Sequence, residues 1–205
     1  MCIKNKEGLH VYIFAEVTMG GRQLSTALSD FFLALSAYFV AVKLKEVCVI
    51  AGLGIFIQGM AASMGVARFS MEKPYKDIIR AHMLFSLLAT FVGIPLLSIG
   101  FCIYYQFTML SWILSAVCFL AITFSFFMDS EVKRSISEPM AGMAIIIIIA
   151  LCLYHENLFG FLACIIYILS GVMVGSEGVW FGILRIDLLH YTLVLGNLAF
   201  YKSFT

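Results

Sequence analysis

From Ala81 to Met128 the chain carries no Asp, Glu, Lys or Arg, and that gap limits the possible folds more than any motif does. A soluble domain has roughly a quarter of its residues charged. Here 12% are charged and 62% are apolar, with a mean hydropathy of +1.03. Water is therefore not the main solvent, which excludes a soluble enzyme, a nucleic-acid binder and a disordered linker. The formal net charge of +1 excludes partners recruited by strong charge imbalance.

A bilayer core takes roughly 20 apolar residues per helix, and the charges cut the chain into segments of about that size. The expected spans are Leu24–Val42, Val47–Ala67, Ala81–Gly100, Tyr105–Met128, Met140–Tyr154, Leu158–Gly175 and Ile186–Tyr201. The fold class is all-α, a polytopic bundle of seven transmembrane helices. Residues 1–23 form a cytoplasmic N-terminal segment and 24–205 the transmembrane domain. Ser137 before Glu138-Pro139 reads as the start of the fifth helix, since serine caps well and proline suits a first turn. Pro95, just after Gly93, should kink the third.

With seven spans, Lys4, Lys6, Arg22, Arg68, Lys73, Lys76, Arg80, Lys133, Arg134 and Arg185 share one side, and Lys43, Lys45 and Lys202 the other. The positive-inside rule then puts the N-terminus in the cytoplasm and the C-terminus outside or in a lumen. Leu9–Ala15 is too short an apolar stretch for a removable signal peptide and has no cleavage site behind it. No glycosylation sequon or lipidation signal is expected. The cysteines show no CxxC spacing and lie mostly in apolar runs, which reads as buried free thiols.

Helix contacts inside a membrane favour small or weakly polar residues. Helical spacing groups Thr26, Asp30, Ala34, Ala37 and Ala41 on one face of the first span, and Ala51, Gly54, Gln58, Ala62 and Gly65 on one face of the second. His82, Ser86, Ala89 and Gly93 share a face of the third, Ser111, Ser115, Cys118 and Ser125 of the fourth, and Asp187, His190, Asn197 and Tyr201 of the last. The expected architecture is a compact bundle around a partly polar interior. The Ile145–Ile149 run reads as lipid-facing. Gly171 and Gly175 form a GxxxG pair, read chiefly as internal packing, with a homodimer seam as the alternative.

The orientation places Asp30, Ser63, His82, Asp187 and His190 in the cytoplasmic half. Asp30 lies about 9 Å along its helix. These five are the candidate catalytic residues, and His82, Asp187 and His190 the candidate metal ligands. A charge at that depth costs roughly 2.5–3.5 kcal/mol even on lenient scales, so Asp30 needs a partner or water. Asp187 and His190, at i and i+3, allow a carboxylate to orient an imidazole. Two histidines and two carboxylates suffice for zinc with an open position, where bound water becomes a nucleophile beside lipid acyl chains. Three readings stay open: structural pairing, with Arg80 or Arg185 meeting Asp30 and Asp187 serving the last helix's N-terminus; a metal or acid-base site; and a polar conduit. His155 and Glu156 read as solvated loop residues.

Ser63 and His190 resemble positions in the superfamily of seven-helix proteins that holds the alkaline ceramidases and the adiponectin and progestin receptors. That resemblance implies a zinc-dependent hydrolase acting on membrane lipid. The family's other ligand positions are Ala67 here and, around His190, Ile186 and Val194, none of which binds metal. Thr26-Ala27-Leu28-Ser29-Asp30 and Asp187-Leu188-Leu189-His190 are similar to motifs of uncharacterised seven-helix membrane proteins, a resemblance that implies a fold and no activity. The function these residues imply is that of a multi-pass membrane protein without a demonstrable catalytic centre, receptor-like or structural. A lipid-directed metal hydrolase and an ion or proton conduit are the alternatives.

Overall fold

The computed structural model describes residues 23–205 except residue 126; the N-terminal segment 1–22, with Lys4, Lys6 and Arg22, lies outside the described residues. The helices are α1 (Leu24–Lys45), α2 (Val49–Phe69), α3 (Lys76–Leu88), α4 (Ile94–Tyr104), α5 (Thr108–Ser125), α6 (Ser130–Tyr154), α7 (Leu158–Leu169) and α8 (Arg185–Ser203). A π turn, Ala89–Gly93, joins α3 to α4 into one rod of 29 residues, so there are seven rods among the described residues. Five are long and apolar enough to cross a membrane: Leu24–Lys45, Val49–Phe69, Lys76–Tyr104, Thr108–Ser125 and Ser135–Tyr154. The other two are α7 with its trailing π turn, 17 residues, and α8, which carries Arg185, Asp187, His190, Asn197 and Lys202.

Pro95 explains the break in the third rod. It has no N–H to give the carbonyl of Phe91 and its ring crowds that turn, and the π turn ending at Gly93 takes up the misfit. The flanking glycines then serve a crossing: Gly54 and Gly93 lie so close that a Cβ on Gly93 would stand 2.9 Å from the Gly54 carbonyl oxygen, and one on Gly100 2.6 Å from Ala51 Cβ. In lipid there is no hydrophobic drive between helices, so this close backbone fit is what holds α2 to α4.

Two expectations fail here. Ser137 does not begin a helix: α6 starts at Ser130 and runs through Pro139, while Ser137 is itself buried. A proline two residues beyond a serine fits a helix interior too when only one backbone bond is given up. The isoleucine run is not wholly lipid-facing either. Ile145 and Ile148 enter the core and Ile146 points outward, because an all-apolar helix shows no pattern that tells its packed side from its lipid side.

The interior is layered. Cys102, Cys152, Cys164, Phe101, Phe200, Leu97, Val40 and Leu44 pack in the half that holds the loops after Lys45, Tyr104 and Tyr154. Next comes a polar layer: Tyr167 OH lies 2.6 Å from Asn197 Oδ1 and 3.1 Å from Gln58 Oε1, and Asn197 Nδ2 reaches Ser36 Oγ at 3.5 Å. Beyond it sits a thin, mostly apolar layer, Leu33, Ala34 and Ala62 with Leu193, Val194 and the ring of Tyr38. At the far end lie Asp30, Asp187 and His190, all buried. The core half is closed by Asn157, whose Nδ2 donates to Tyr105 OH (2.6 Å) and the Ser203 carbonyl (2.7 Å) and whose Oδ1 caps α7 at Gly160 N (2.9 Å). His155 is exposed but stacked on Tyr105, with ring centroids 4.0 Å apart.

Gly171 faces outward, where an added Cβ would meet nothing within 4 Å, and Gly175 leaves the helix at φ +64. The internal-packing role expected of this GxxxG pair is therefore not filled by Gly171. A short antiparallel ribbon follows, β1 (Val179–Trp180) with β2 (Ile183–Leu184), which the glycine-rich stretch did not announce.

Candidate functional site

α1, α2, α3 and α8 converge at the end opposite the apolar core. Gln23 N bonds to the Phe69 carbonyl at 3.1 Å, tying the start of α1 to the end of α2. On α1, Ser29 and Asp30 both turn inward; on α8, Asp187 and His190 sit one above the other in the first two turns. Ser29 Oγ lies 2.9 Å from His190 Nδ1 and 3.4 Å from Asp187 Oδ1, and Asp30 Oδ1 lies 3.4 Å from the same Nδ1.

An ionised carboxylate accepts only. With His190 in the tautomer protonated at Nδ1, that proton is donated to Ser29 Oγ and lies beside Asp30 Oδ1, 3.4 Å from the ring nitrogen. The Ser29 hydroxyl proton is then free for Asp187 Oδ1 or the Thr26 carbonyl at 3.0 Å. In that tautomer a chain of contacts runs from Asp30 through His190 and Ser29 to Asp187. It is not a catalytic triad, in which serine and carboxylate occupy opposite ring nitrogens; here both crowd Nδ1.

Asp30 Oδ2 is buried and accepts no hydrogen bond from the described residues, and Thr26 Oγ1, one turn earlier, likewise has no partner among them. Oδ2 rests against Gly65 of α2, where a Cβ would overlap it and come within 2.6 Å of the carboxyl carbon. Glycine at 65 is thus what lets the carboxylate reach this depth. Arg68, one turn further along α2, acts electrostatically on Asp30, and its Nη1 donates to His82 Nδ1 at 3.0 Å. It also lies over the Phe69 ring, 5.1 Å from the centroid.

Of the five candidates, Asp30, Asp187 and His190 are in direct contact or share Ser29. His82 belongs to the same end through Arg68 and acts electrostatically on His190. Ser63 is elsewhere engaged: its hydroxyl donates to the Gly59 carbonyl at 2.9 Å and meets Tyr38 OH at 3.0 Å. Neither arginine considered for Asp30 reaches it. Arg80 pairs with Asp77 at 3.5 Å on the surface, and Arg185 donates to the Met173 carbonyl at 2.8 Å and to that of Val174. Among the described residues, the cation acting on Asp30 is Arg68. It and Ser29 were missed, although Arg68 lies three residues after Gly65 on the small-residue face of α2, a spacing that points it the same way.

Among the described residues, no group of three His, Cys, Asp or Glu side chains is placed to hold a metal ion. No protein-family model matches the chain, and neither a curated protein nor a solved structure shows significant similarity to it.

Proposed function

We propose that the chain is a seven-span integral membrane protein of receptor-like or structural type, N-terminus cytoplasmic, in which the polar cluster clasps α1, α2, α3 and α8 together. The observation that carries this reading is the shared use of His190 Nδ1 by Ser29 and Asp30. The groups a catalyst would present to a substrate are bonded to one another.

Two features support seven spans. The rod Leu158–Val174 has 17 residues, about 26 Å at 1.5 Å each, close to the roughly 27–30 Å of a bilayer core. Of the polar residues that lower the hydropathy of α8, Asp187, His190 and Asn197 are buried inside the bundle and Arg185 and Lys202 stand at its two ends, so the outer surface of its middle is more apolar than its composition.

A lipid-directed zinc hydrolase is the rival reading, and the donors fit it poorly. His82 Nδ1 accepts a hydrogen bond from the Arg68 guanidinium, so a metal bound there would face a cation. His190 has Nδ1 engaged and offers Nε2 alone, but among the described residues no three ligand side chains gather around it or elsewhere, and Ser63 lies with Tyr38. An ion or proton conduit is opposed by the Leu33, Ala34 and Ala62 layer, which separates the cluster from the polar layer around Asn197 by about 10 Å of helix.

Metal content and thermal stability of purified protein and its His190→Ala variant test the proposal. Metal-free protein that loses about 1–3 kcal/mol on substitution supports the clasp. Stoichiometric zinc that disappears in the variant overturns it in favour of the hydrolase.

A further inference from the structure

The ribbon between α7 and α8 is ill-suited to water. Phe181 (φ +51) and Gly182 (φ +80) form its two-residue turn, and two successive positive φ angles make a type I′ turn, which favours Asn-Gly. A bulky aromatic at the first position is strained. Phe181 is nonetheless 89% exposed. Trp180 stacks on it with ring centroids 5.6 Å apart, and Val179 and Ile183 are exposed as well. Local backbone preference and hydration both oppose this choice of residues, and a strained, exposed aromatic of this kind points to a binding role.

The ribbon is also firmly based. Arg185 N donates to the Gly178 carbonyl at 3.0 Å, and the Arg185 side chain spans back to the last carbonyls of the α7 rod, Met173 and Val174. Val172 and Met173, both exposed, carry the apolar outer surface of that rod up to the ribbon. Where the rod is covered by acyl chains, the same solvent reaches the tip.

We infer that the Trp180-Phe181 tip inserts at the boundary between headgroups and acyl chains, on the side of the membrane where Asp30 lies. The inference rests on the seven-span reading above. Indole is amphipathic and settles at that level, the phenyl ring enters the acyl region, and Arg185 comes to the depth of the lipid phosphates. Because α8 begins at Arg185, the anchor fixes the depth of Asp187 and His190 two residues and five residues further on.

Trp112 and Trp180 are the chain's two tryptophans, so Trp112→Phe and Trp180→Phe each leave one reporter in the full-length protein. Both variants are placed in bilayers of lipid brominated near the headgroup end of the acyl chains, with iodide as the aqueous quencher. Trp180 emission is expected to be blue-shifted, quenched about twofold by the bromolipid and little affected by iodide. Adding Phe181→Asn, which suits the turn, should weaken the bromolipid quenching; unchanged quenching overturns the role of Phe181. Trp180 quenched by iodide alone, or shielded from both quenchers, overturns the anchor. Trp112, 72% exposed on α5, separates the two claims. Bromolipid quenching of Trp112 but not Trp180 refutes the anchor and leaves the membrane reading standing, whereas quenching of neither removes both.

Discussion

Gly65→Ala should cost far more than a methyl group on a helix ordinarily does. A Cβ at 65 would overlap Asp30 Oδ2 and stand 2.6 Å from Cγ and 2.9 Å from Oδ1, closer than side chains pack. The carboxyl group has little room to retreat, because His190 Nδ1 holds its other oxygen at 3.4 Å. Overpacking of this kind costs about 1–3 kcal/mol, and parting a buried polar group from its partner costs about 1–3 kcal/mol more when complete. Better helix propensity returns up to about 1 kcal/mol. With the displacement partial, the net loss is about 2–4 kcal/mol, or a melting temperature lower by on the order of 10 °C for a chain of this size. Thermal unfolding in one detergent, followed by helix content, measures it. Gly142→Ala on α6 is the control, since a Cβ there meets nothing within 4 Å, and it should melt at or slightly above the parent. Asp30→Ala removes the obstacle, so Gly65→Ala in that background should cost much less than alone, a coupling above about 1 kcal/mol. Additive losses, or a Gly65→Ala protein as stable as the parent, would refute the contact.

Asn157→Ala should lower stability by about 2–3 kcal/mol, because it removes a helix cap and two further hydrogen bonds, whereas Asn157→Asp, which keeps the cap, should fall between; denaturant titration reads both. Tyr167→Phe should cost about 1–3 kcal/mol by leaving Asn197, fully buried, short of a donor, and unchanged stability would mean Asn197 finds another partner. Burial pushes the Tyr105 phenol above its ordinary range. Its contribution is therefore complete below the unfolded tyrosine value of about 10 and declines as pH rises past it; Tyr105→Phe should remove that part of the alkaline loss in stability.

The helix faces were legible in the sequence because lipid and protein select opposite residues. Thr26, Asp30, Ala34, Ala37 and Ala41 all lie buried on α1, as do Asp187, His190 and Asn197 on α8. The partners of those groups were less legible. Arg68 falls at the charged end of α2 and reads equally as a loop cation, and Ser29 sits one residue off the stripe, so only the approach of α8 reveals that it turns inward. Ser63 looked suitable by residue type, yet a serine in a helix is satisfied by its own backbone, as Ser63 is by Gly59. Ser137-Glu138-Pro139 mimicked a helix start because capping residues and prolines also occur inside membrane helices. The Val179–Leu184 ribbon was hidden by its turn, where Phe181 stands in place of the polar residue that marks such turns.

Side-specific labelling at Lys73, Glu177 and Lys202 in sealed, oriented vesicles tests the proposed topology most directly. Seven spans with a cytoplasmic N-terminus place Lys73 and Glu177 together on the cytoplasmic side and Lys202 alone on the other. Glu177 and Lys202 reacting from the same side would mean that α8 does not cross, and would contradict the bundle on which the clasp depends.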